Sequence, residues 1–94
     1  MTDIPVITTK SGFYTELEKF TIAHDFQMDE INRTDSIDHN TASSLLNQAL
    51  NLQAAAFSIL PANKDKKQVV VHLAWAIADI QTWINLFSKK ETVQ

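Results

Sequence analysis

Histidine and the carboxylates are the first places to look for catalysis or metal binding in this chain, which has three histidines, eleven acidic residues and no cysteine. Thiolate chemistry and a disulfide framework are therefore out of reach. His72 and Asp79 are seven residues apart, which on a helix puts them on one face but about 10 Å apart along the axis. That gap is too long for a direct pair and lacks the i,i+3 or i,i+4 spacing of helical metal ligands. In "HDFQMDE", Asp25 and Asp29 are four apart and could share a cation only with further ligands from elsewhere, so a solvated acidic face is the plainer reading. "DSIDHN" gathers Asp35, Asp38 and His39 just before a helix, where acids complement the positive end of the helix dipole. It has neither the glycine nor the closing glutamate of a calcium loop. A nucleophile elbow, a glycine-rich phosphate loop and a zinc pattern are all missing from the sequence. No catalytic residue, cofactor site or metal site is assigned.

Those side chains need elements to position them, and composition restricts which. Ninety-four residues suit one domain large enough to bury a core. One glycine and two prolines are too few turn residues for a sandwich or barrel. Periodicity then predicts an all-α bundle of about three helices ending in an antiparallel hairpin, forming one domain over residues 1–94.

The last helix, over 65–89, is the clearest. Val70, Leu73, Ile77, Ile80, Ile84 and Phe87 alternate spacings of three and four. Asp65 and Gln68 have capping-box spacing at its start, and Lys89 and Lys90 suit its negative end. The helix over 38–60 is capped by Asp38 or Asn40, with Ile37 and Ala42 spaced as a hydrophobic staple. Pro61 ends it. Leu45, Leu52 and Ile59 form one row and Ala42, Ala49 and Ala56 another, so a neighbouring helix can approach closely along the small row. Before these, Thr15 and Glu18 again suggest a cap. Leu17, Phe20, His24, Met28 and Ile31 then predict a helix over 15–33 after an extended segment, 1–14, with Ile22 and Phe26 off the stripe. The alternative is an α+β fold, with a β-hairpin over residues 4–22 turning at "KSG" and packed on two helices.

"QVVVHLAWAIADIQTWINLF", Gln68 to Phe87, has only one formal charge in twenty residues. Nine large aliphatic or phenylalanine side chains favour bilayer insertion by about 0.3–0.6 kcal/mol each. Asp79 alone opposes it by roughly 2.5–3.5 kcal/mol at a span's centre, and His72, Gln81 and Asn85 add to that. A membrane span is not expected. The remaining apolar circumference, with no charge at all between Asp38 and Lys64, marks the hairpin as an association surface, since charge depletion characterises interface cores. Ala42, Ala49, Ala56, Gln48, Asn51, Trp75 and Trp83 are its candidate self-association residues. A second candidate surface is acidic. Residues 1–40 hold eight acids against three bases, and 41–94 three against five. Glu16, Glu18, Asp25, Asp29, Glu30 and Asp35 would orient a basic partner. A net charge of −3 gives no sign of nucleic-acid binding.

The expectation is a non-catalytic interaction module, a small regulator or inhibitor that binds a partner protein, with homodimerisation also expected. The alternatives are a structural homo-oligomeric bundle and, more weakly, a small-ligand or metal binder. The start of the sequence lacks a basic-then-apolar leader, so the cytoplasm is the expected location.

Overall fold

A computed structural model describes residues 7–92, with the side chains of residues 7–87, and contains three helices in sequence. They are α1 Lys10–Thr34, α2 His39–Ile59 and α3 Lys64–Thr92, with no strand among the described residues. The β-hairpin alternative is thereby overturned over residues 10–22, and residues 4–6 lie outside the described residues. The proposed extended segment 1–14 is helical from Lys10, non-helical over 7–9, and otherwise outside the described residues.

Helix α1 begins earlier than its periodicity suggests because Thr9, not Thr15, caps it. The Thr9 hydroxyl accepts a hydrogen bond from the Gly12 backbone N–H at 3.0 Å. A Cβ at Gly12 would stand only 3.0 Å from that oxygen, so glycine suits the tight first turn. The "KSG" turn signal is therefore a helix start. Thr15 instead donates to the Ser11 carbonyl at 3.0 Å, as Thr21 does to Leu17 at 2.9 Å, giving both hydroxyls a partner within the helix. At the other end Asp35 adopts a left-handed conformation (φ 56°) and its N–H closes onto the Ile31 carbonyl at 2.8 Å. Aspartate tolerates this geometry better than most side chains other than glycine, so it works as the stop.

Asp38 caps α2 by accepting from the Asn40 N–H at 3.3 Å and the Thr41 hydroxyl at 2.7 Å. Leu60 ends it in extended geometry ahead of Pro61, which disfavours the helical region for the residue before it. At α3 the Asn63 carboxamide accepts from the Lys66 N–H at 3.1 Å. Asn63 is thus the cap rather than Asp65, which lies in the first turn, where its charge favours the positive end of the dipole.

Fully or largely buried positions recur every seven residues: Phe13, Phe20 and Gln27 on α1; Ala42, Ala49 and Ala56 beside Leu45 and Leu52 on α2; Leu73, Ile80 and Phe87 on α3. A seven-residue repeat lets helices cross at a shallow angle and stay in contact over several turns. Helix α2 packs against both neighbours, most extensively against α3. Helices α1 and α3 meet more sparsely. The whole measures 49 × 30 × 20 Å. Three helices of such different lengths cannot cover one another completely, and large apolar side chains remain outside.

Candidate interaction surfaces

Helix α1 turns two very different faces to its surroundings. Phe13, Leu17, Phe20, His24, Gln27 and Ile31 point inward. Opposite them Ile22 and Phe26, one turn apart, are 64% and 65% exposed. Glu18, Asp25 and Asp29 lie within about 60° of Ile22 on the helical wheel, all on the side away from Phe26. The apolar crest thus carries three carboxylates along one flank, while Lys19 and Arg33, paired with Glu16 and Glu30, lie on the other. Among the described residues Glu18 and Asp29 have no ion-pair partner, and Asp25 has only the His24 ring, 3.8 Å away. The other acids expected on this face are placed otherwise. Glu16 pairs with Lys19 at 3.6 Å and Glu30 with Arg33, both half-buried at the edge. Asp35 is the C-cap of α1.

The second surface lies along the α2–α3 turn. Phe57, Val70, Val71, Lys64, Lys66 and Lys67 line a cleft of about 650 Å³. Lys66 is held in place: its Nζ donates to the Phe57 carbonyl at 3.0 Å and lies 5.7 Å from the Phe57 ring centre. A shallower depression of about 340 Å³ runs on over Gln68 and His72. Beyond it Trp75 is 69% exposed, and Leu86 lies further along the same side of α3. On α2, Leu50 precedes Phe57 by two turns on the same side and is also exposed. Its charges are the lysines at the turn and, between Trp75 and Leu86, the half-exposed Asp79.

The sequence-derived association residues divide sharply. Ala42, Ala49 and Ala56 are all 0% exposed, inside the chain's own core, so the small row they form is spent on intramolecular packing and cannot meet a second molecule. Gln48 is exposed, but about 200° around the helix from Leu50, hence on a different side. Asn51 is half-buried. Trp75 faces outward. Trp83 does not: it is half-buried, stacked 5.1 Å from the His24 ring.

That stack is the contact between α1 and α3 that the sequence did not suggest. His24 is packed between Phe20 (5.8 Å) and Trp83, with a side chain only 12% exposed. Its buried Nε2 has no hydrogen-bond partner, and the Asp79 carboxylate lies 3.9 Å from it. Asp79 thus turns toward α1 rather than toward His72, which is exposed. Asp38 is held below its ordinary carboxylate pKa, first by the Thr41 hydroxyl and then by backbone N–H groups of Asn40 and Thr41. Its charge is engaged in capping. Among the described residues no three histidine or acidic side chains come together as a metal site. Lys64–Phe87 is, by length and composition alone, long and apolar enough to cross a bilayer.

Fold and surfaces together define a small all-α bundle with two uncovered, chemically distinct faces. Comparison with known proteins finds no matching family model, no matching curated protein and no matching solved structure.

Proposed function

We propose that this chain is a non-catalytic protein-interaction module, a small regulator or inhibitor whose α1 face seats in an apolar pocket bordered on one side by basic side chains. The observation carrying this reading is the exposure of Ile22 and Phe26 beside Glu18, Asp25 and Asp29. Exposed apolar side chains are common singly. Two of them a turn apart, one aromatic, form the kind of anchor that fills a pocket, while the carboxylates along one flank speed and orient encounter with a basic partner. The same carboxylates repel nucleic acid, which favours a protein partner.

A photo-crosslinking amino acid placed at Phe26, and separately at exposed Ser44, tests this in cells that encode the chain. Discrete protein adducts are expected from position 26 and none from position 44. Absence of adducts at position 26 would remove the proposal. A second reading, a structural homo-oligomer, is favoured by Leu50, Phe57, Val71 and Trp75, exposed on the adjoining sides of α2 and α3.

A further inference from the structure

We infer that the partner of the α1 crest is a second copy of this chain, with the crest seated in the lysine-rimmed cleft at the α2–α3 turn. This rests on the reading of α1 as a binding face and names what it binds. The argument is complementarity in charge, polarity and length. The crest offers two apolar side chains with three carboxylates along one flank. The cleft offers Phe57, Val70 and Val71 beside Lys64, Lys66 and Lys67. Lys64 and Lys67 have no ion-pair partner among the described residues, just as Glu18 and Asp29 have none.

The two surfaces also match in extent. Glu18 to Asp29 and Lys64 to Trp75 each cover twelve residues of helix, about 16 Å from first to last. With α1 running antiparallel to α3 of the second copy, Asp29 comes opposite its Lys64, Asp25 opposite its Lys67, and Ile22 opposite its Val71. The opposed helix dipoles favour that direction. Within one chain this contact cannot form, because α1 presents its other face to α2 and α3 (Phe20 and His24 inward, Ile22 outward). The uneven charge of the sequence, acidic in its first forty residues and basic afterwards, thereby acquires a use: one copy's acidic part binds another's basic part.

Two charge-reversal variants test the pairing, Asp25→Lys/Asp29→Lys and Lys64→Glu/Lys67→Glu. Each is run by light scattering on a sizing column over roughly a hundredfold range of loading. The unaltered chain is expected to rise with loading from 10.6 kDa toward at least twice that mass. Each variant alone should associate roughly 10- to 100-fold more weakly. An equimolar mixture should regain a species of twice the monomer mass, since each variant keeps one intact surface; regain also proves that both fold. Three results overturn the inference: a monomer at every loading, association untouched by either reversal, or a mixture that stays monomeric. A monomer that still gives heterologous adducts at position 26 sinks self-docking and leaves the interaction module standing.

Discussion

Replacing Ala49 by leucine probes the packing on which everything else depends. Ala49 sits midway along a row, Ala42–Ala49–Ala56, in which every member is 0% exposed. Leucine brings three extra carbon atoms to a site already closed by the chain's own helices. Overpacking of this kind costs typically 1–3 kcal/mol. A 94-residue domain has a total stability of roughly 5–14 kcal/mol, so the loss is a sizeable share. It corresponds to a fall in melting temperature of roughly 4–8 °C per kcal/mol. The assay is urea unfolding followed by circular dichroism at one low loading, so that self-association contributes equally throughout. The midpoint should drop without a change in slope, because the exposed area of the unfolded chain barely differs. Ala54→Leu is the matched control: the same substitution on the same helix at an exposed position, expected within about 0.5 kcal/mol of the parent. Equal behaviour of the two variants would refute the close α2 packing.

Two further substitutions examine polar groups at the ends and joins of helices. Asp38→Ala should lower the melting temperature at neutral pH. Because the folded pKa of Asp38 is depressed below 3.8, its stabilisation is present above that value and disappears as pH falls through the lower folded value, so the two melting curves should converge in acid. A difference that persists undiminished into strong acid would mean that the carboxylate charge is irrelevant to the cap. His24→Phe should preserve the ring packing on Trp83 while removing a buried nitrogen that has no partner, leaving stability equal or higher; His24→Ala should cost roughly 2 kcal/mol. If phenylalanine destabilises as much as alanine, by thermal melting followed through tryptophan fluorescence, the imidazole makes a polar contact that matters.

Much of the architecture was legible because helices announce themselves locally. The three/four spacing of Val70 to Phe87, the Ala and Leu rows of α2, Asp38 and Pro61 each act through neighbours within a turn or two. Errors arose where two local signals competed. Thr15 and Glu18 match a capping box, but Thr9 with Gly12 makes the cap, and a glycine taken for a turn opens a helix. The Asp65–Gln68 spacing likewise points to Asp65, but Asn63 makes the cap, since spacing alone does not reveal which side chain reaches the free N–H groups. Met28 and Gln27 differ by a single position, yet only Gln27 is largely buried. A wheel drawn from residues 17 to 31 alone lacks Phe13, whose place in the buried row shifts the inward face.

The candidate surfaces were legible in kind and misplaced in part. Charge depletion in the hairpin and acidity near the start are properties of composition, so they could be read directly. Ile22 and Phe26 fall off the inward stripe, which in one dimension counts against a helix, and the structure shows them as an outward apolar pair. Which apolar residues stay exposed depends on how much of each helix its neighbours cover, and helices of 25, 21 and 29 residues leave that to the tertiary arrangement. Only there did the alanine row prove to be interior, Trp75 outer and Trp83 stacked on His24. Only there did Phe57 and Val71 close a cleft with lysines from the following turn. Helix formation obeys short-range spacing and caps, so the sequence by itself determined the two helices of the hairpin and their order, and left the first third open between a helix and a β-hairpin. Coverage is a sum over residues far apart in the chain, so the tertiary structure alone decided which faces were left for a partner.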